Sequence, residues 1–133
     1  MEPRIVPHDP PRSYGKASVH GDLIFLAGET AQDHATGELV GTTVAEQAEV
    51  VFANLGRTLE ELASSLSRVV KITAFLKDPR DRASYQAART KYLPHAPPGT
   101  LIMGVQLAEP AMLIEIEAIA VVGDRARSDQ PIR

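Results

Sequence analysis

The stretch LIEIEAIAVV, Leu113–Val122, places two glutamates two residues apart inside one of the most hydrophobic segments of the chain. In an extended strand alternate side chains share a face, so Ile114, Ile116, Ala118, Ala120 and Val122 line one side. Glu115 and Glu117 stand on the other, with Leu113, Ile119 and Val121 among them. The first side is a core face. The second is mixed, the pattern of a surface partly covered by another subunit with a carboxylate held at its edge. A strand simply solvated on that face is the plainer alternative.

The elements that flank this strand follow from periodicity. ASVH (17–20) and LIFLA (23–27) read as a hairpin around His20-Gly21-Asp22. Thr43, with Glu46 three residues on, has the spacing of a helix capping box. Val44, Ala48, Val51, Leu55, Leu59, Leu62 and Leu66 then recur every three or four residues, an apolar stripe that needs a sheet to lie on. Val70, Ile72, Ala74 and Leu76 alternate with Lys71, Thr73, Phe75 and Lys77 and predict a half-buried strand. Asp78-Pro79 turns the chain into a second helix over 81–92, with Ala83, Ala87 and Tyr92 as packing candidates. HAPPG ends it, and TLIMGV (100–105) and MLIEIEAIAVV (112–122) supply two last strands. The expected order is β-β-α-β-α-β-β: a single α+β domain, a mixed sheet with two helices on one face. The uncovered sheet face predicts an oligomer. Residues 1–13 read as an arm, 14–123 as the domain and 124–133 as a polar tail.

Composition removes several classes of function. The chain has no cysteine, which excludes disulfides, thiolate catalysis and cysteine-held metals. His8, His20, His34 and His95 are scattered without ligand spacing, so no metal is expected. Gly28, Gly37 and Gly41 do not open a helix in phosphate-loop spacing, and no cofactor is expected. A net charge of −3 gives no electrostatic case for nucleic acid. No apolar run approaches the ~20 residues that span a bilayer, and a cytoplasmic protein is expected.

The order of elements, with LIFLAGET, ATGELVG, VVKITAFLKD and the closing IEIEAIAVV, resembles the Rid family, the YjgF-type reactive-intermediate deaminases often labelled endoribonuclease or translation inhibitor. The resemblance covers about residues 14–122. It implies a YjgF/chorismate-mutase-like fold, a homotrimer whose sheets surround a central barrel, and small-molecule clefts between subunits. It also implies a role for the first glutamate of IEIEA, Glu115, which would position or activate the water that hydrolyses an enamine or imine.

Other positions carry over with changes. Tyr14 matches a tyrosine that closes the pocket. The family's Ser-Gly after the second strand is Ala27-Gly28 here, so the hydroxyl is lost and the glycine kept. Glu29 replaces a frequent glutamine, and Gln86 a helix asparagine. The main departure is in Pro97-Pro98-Gly99-Thr100. Relatives place there an arginine that clamps a substrate carboxylate; here that position is Gly99 or Thr100, and the next is Leu101 or Ile102, whose backbone carbonyl remains available to an amino group. Arg89, three residues beyond Gln86 on the same helix face, is a candidate substitute, or a solvated helix arginine. The resemblance thus implies an imine or enamine hydrolase with an atypical substrate. A non-catalytic metabolite-binding trimer is the alternative, and ribonuclease activity a weak third.

Overall fold

The computed structural model describes residues 2–123, so the expected tail over 124–133 lies outside the described residues. Its strands are β1 (Arg4–Pro7), β2 (Gly15–His20), β3 (Leu23–Glu29), β4 (Val69–Leu76), β5 (Gly99–Met103) and β6 (Ile114–Val121). Helices α1 (Val44–Glu61) and α2 (Arg82–Tyr92) complete the fold. The strands form one mixed sheet in the order β1-β2-β3-β6-β4-β5, in which only the β4–β5 pairing is parallel. This is the expected α+β architecture with one addition: the arm before residue 14 supplies the edge strand β1, paired with β2.

The β2–β3 hairpin closes His20 onto Leu23 through Gly21-Asp22, with Gly21 at φ +61. Glycine adopts that conformation without the steric penalty of a Cβ. Thr43 caps α1, its hydroxyl accepting from the Glu46 backbone N–H at 3.2 Å. The Glu46 carboxylate reaches one residue further back than the capping-box pattern, to the Thr42 N–H at 2.9 Å.

On α1, Val44, Ala48, Val51, Leu55 and Leu59 are buried against the sheet, whereas Leu62 and Leu66 lie beyond the helix and are only half-buried. Phe52, on the same face, is fully buried and stacks on Tyr92 with ring centroids 4.9 Å apart. Each large apolar side chain of this layer contributes about 1.5–3 kcal/mol by leaving water.

Two expected packing assignments are corrected. Val70 is exposed and Val69 takes the core position, because the β4–β6 register shifts between Val69 and Lys71. One extra residue in the strand reverses the phase of alternation before it. On α2 the buried residues are Tyr85 and Ala88, while Ala83 and Ala87 are exposed. The helix is rotated so that Tyr85 fills the core, with Tyr92 half-buried at its end.

On β6 the two faces separate as the alternation requires. Ile114, Ile116, Ala118 and Ala120 are buried beneath the helices, and Leu113, Glu115, Ile119 and Val121 are half-buried on the open side. Phe25 and Leu23 of β3 add to that open side, each 40 % exposed.

Candidate functional site

Two buried amides of α1 set the walls of a cleft at the open face. Gln47 donates from Nε2 to the carbonyls of Gly41 (3.1 Å) and Ala111 (2.9 Å), and its Oε1 accepts from the Leu113 N–H at 2.9 Å. That grip fixes the chain where it enters β6, two residues before Glu115. Asn54 donates from Nδ2 to the carbonyls of Gln32 (2.8 Å) and Thr30 (3.4 Å), which fixes the chain leaving β3. A buried amide left without these partners costs about 1–3 kcal/mol per group, so both attachments are firm.

Between these anchors β3 carries a bulge. Leu26 pairs with Ala118 but Glu29 pairs with Ile116, so the stretch Ala27-Gly28 holds one residue more than its partner. Gly28 sits there because of Glu115: a Cβ at position 28 would come within 2.1 Å of Glu115 Oε2. The missing side chain is the space in which the carboxylate lies. Burial pushes the Glu115 carboxyl above the usual carboxylate range, and the charge of Glu117 pushes it the same way. Glu117 itself is exposed and lines a separate hollow with Lys71 and Thr73.

The cleft, about 350 Å³, holds Tyr14, Gly28, Glu29 and Glu115 together. Sequence reasoning did not single out His8, Arg12, His34 or Glu109, which also line it. Tyr14 is exposed at the rim, edge-on to His8 (5.2 Å between centroids), with the Arg12 guanidinium donating to its hydroxyl at 3.2 Å. Glu29 is held by His34, whose Nε2 lies 2.8 Å from Oε1 and 3.4 Å from Oε2. Burial raises the Glu29 carboxyl, and His34 partly offsets it. His34 reaches this point from a tight loop in which the Asp33 carboxylate accepts from the N–H groups of Ala35 (2.8 Å) and Thr36 (3.2 Å). The signal for that loop was in the sequence, as Asp at the start of a turn before Thr-Gly. The direction of its histidine was not.

Gln86, Gly99, Thr100 and Leu101 form a second cleft of about 210 Å³, with Tyr85 and Arg89, which shares no residue with the first. Ile102 lines neither; its side chain is exposed on β5. Arg89 turns inward along this cleft, its guanidinium donating to the Pro97 carbonyl and lying 3.3 Å from where a Cβ on Gly99 would be. Arg89, expected as a candidate clamp, therefore sits against the Pro97–Thr100 segment. Among the described residues no group of three His, Cys, Asp or Glu side chains is arranged to hold a metal ion. No described helix is long and apolar enough to cross a membrane.

Comparison with known proteins agrees with this fold. A family model described as Endoribonuclease L-PSP matches residues 6–122. A RutC family protein of Pyrococcus abyssi is 37 % identical over 107 residues, covering 80 % of this chain and 84 % of the relative. A 2-iminobutanoate/2-iminopropanoate deaminase of Bos taurus is 31 % identical over 110 residues, covering 83 % and 80 %. Among solved structures, RidA of an Antarctic Psychrobacter superposes with a TM-score of 0.76 at 28 % identity, covering 84 % of this chain and 89 % of that one. The chain thus belongs to the Rid (YjgF) family.

Proposed function

We propose that this protein hydrolyses a carbon–nitrogen double bond, in an imine or enamine, with Glu115 as the general base. The observation that carries this reading is the Glu115 carboxylate itself. It lies over the bare backbone of Gly28 in a half-buried cleft, with its proton affinity raised by burial and by Glu117. A base with that affinity accepts a proton from water and later returns it to the leaving nitrogen. Tyr14 closes the mouth, and Glu29 faces the same space.

The active assembly is a homotrimer with the cleft between subunits. The half-apolar open face, including Phe25 and Leu23, supports this. So do the two separate clefts of one chain, because a ring joins one patch of a subunit to a different patch of the next. In such a ring Gln86, Arg89 and Thr100 of one subunit complete the Glu115 cleft of its neighbour. The substrate is atypical for the family, since Gly99 and Thr100 offer backbone groups and one hydroxyl where relatives present a cation.

The test is turnover of a panel of imines generated in solution, read as ammonia released above the spontaneous rate. Wild type should accelerate at least one imine, and Glu115→Gln should abolish the acceleration. A trimer that binds such ligands, raising its melting temperature without turnover, would favour the non-catalytic reading instead. The specific observation behind that second reading is the engagement of Arg89 with the Pro97 carbonyl, which leaves it poorly free to clamp a substrate.

A further inference from the structure

The charge inside the Glu115 cleft points to a substrate class. Glu29, Glu109 and Glu115 contribute three carboxylates to the lining. Against them stand Arg12 and, when protonated, His34. His8 is pushed toward its neutral form by burial and by Arg12. Lys16, outside the lining, is engaged by Glu61 at 2.6 Å. The lining that one chain supplies is therefore net negative in either state of His34, and the Arg89 that a neighbouring subunit would add already donates to its own Pro97 carbonyl.

The position of these charges matters more than their sum. Arg12 lies at the exposed rim, over the Tyr14 ring at 6.0 Å, where water screens it. Glu29 lies inward, its side chain only 15 % exposed, and His34 holds it in one orientation. A ligand carboxylate entering the cleft would meet two fixed carboxylates at low effective dielectric, with Arg12 at the mouth and the neighbouring Arg89 already engaged by a backbone carbonyl. A ligand cation would meet the opposite situation.

We propose that Glu29, oriented by His34, makes this cleft selective for a cationic imine that carries no carboxylate. This rests on the imine-hydrolysis reading and names its substrate class. Such compounds form when a primary amine, rather than an amino acid, loses two electrons and two protons, so an amine-oxidising reaction supplies the substrate. In the hydrolysis, water oxygen bonds to the iminium carbon, its proton passes to Glu115, and the C=N π pair returns to nitrogen. Glu115 then gives that proton to nitrogen and takes the hydroxyl proton. The C–N bond breaks as the carbonyl forms, releasing ketone or aldehyde and ammonia, and ammonia takes the proton now held by Glu115 and leaves as ammonium. Glu29 pairs with the cationic nitrogen on entry. Because that charge is neutralised as water adds, Glu29 acts on binding and selectivity rather than on the chemical step.

The experiment compares two imines that differ only by methyl against carboxylate: butan-2-imine, generated from 2-aminobutane, and 2-iminobutanoate, generated from 2-aminobutanoate. Wild type should show kcat/KM at least about tenfold higher for butan-2-imine. Glu29→Gln should raise KM for that imine about tenfold with kcat little changed, and improve use of 2-iminobutanoate. Preference for 2-iminobutanoate in wild type, with Glu115 still required, would overturn the selectivity and leave the hydrolase reading standing. Loss of that activity in Arg12→Ala would further show that the rim arginine is a carboxylate clamp. Acceleration of neither imine, nor of any other in the panel, in a correctly assembled protein would remove the hydrolase reading. In that case, stabilisation by butanoate in preference to 2-aminobutane in a melting assay would overturn the charge selectivity on its own terms.

Discussion

The two clefts of this chain are built differently. The Glu115 cleft is pinned on both walls by fully buried amides, Gln47 and Asn54, reaching through from the helix layer. The Gln86–Thr100 cleft lies at the edge of the sheet, where Gln86 and Thr100 are exposed and the main polar contact is between Arg89 and Pro97. The first holds its carboxylates between anchored walls; the second has a cation and exposed surface groups. The difference teaches that the carboxylate cleft sits in the part of the fold with least tolerance to change, and the Arg89 cleft in a part with more.

The comparison breaks most readily at Glu115. Glu115→Gln keeps the shape and removes the base, so imine turnover should fall about 10²–10⁴-fold with an unchanged circular dichroism spectrum. If turnover survives, the rigid cleft is not the seat of chemistry.

The wall itself is tested next. Gln47→Ala leaves the carbonyls of Gly41 and Ala111 and the N–H of Leu113 without their partner. Stability by urea denaturation should drop by about 2–4 kcal/mol. Gln86→Ala, on the exposed side of α2, should stay within about 0.5 kcal/mol of wild type in the same measurement.

Gly28→Ala sharpens the contrast between stability and function. The nearest atoms to the new methyl all belong to the Glu115 side chain, from Oε2 back to Cγ, so the carboxylate must move off its place while the backbone is spared. The expected result is a loss of about tenfold in kcat/KM with stability changed by less than about 1 kcal/mol.

The smallest effect is in pH dependence. With its carboxyl raised by burial and by Glu117, Glu115 should give kcat/KM an acid limb above the ordinary carboxylate range, and Glu117→Gln should move that limb downward. The sign for stability is opposite to that of a salt-bridged carboxylate. The folded protein holds the Glu115 proton more tightly than the unfolded chain, so this residue favours folding in acid and the contribution is lost as pH rises through the raised value. Glu115→Gln should therefore remove that loss, seen as a flatter melting temperature against pH.

Much of the fold was legible because period decides it. The β6 alternation, the α1 stripe and the Gly21 hairpin each follow from local rules that the structure obeys. What escaped was register. A bulge at Val69–Lys71 is one residue long and leaves no compositional mark, so Val70 was placed in the core. The rotation of α2 toward Tyr85 depends on the depth of the space beneath it, which no local pattern encodes. At the site, Glu115, Glu29, Gly28 and Tyr14 could be named in advance because a family pattern orders them. His34 and Arg12 could not, since they arrive from a loop and an arm whose directions are set by tertiary contacts.

The strand order has a consequence in time. β6, the last described strand, lies in the middle of the sheet, between β3 and β4. Until it is synthesised, the β1–β2–β3 meander and the β4–β5 pair have no shared hydrogen bonds and expose their inner edges. Such long-range closure is slow, and open strand edges invite pairing with other chains. The strand that joins the two parts is also the one that carries Glu115. A ribosome-bound nascent chain thus has no Glu115 carboxylate beside Gly28 until the sheet closes, and this chain's own share of the cleft is assembled in the step that joins the sheet.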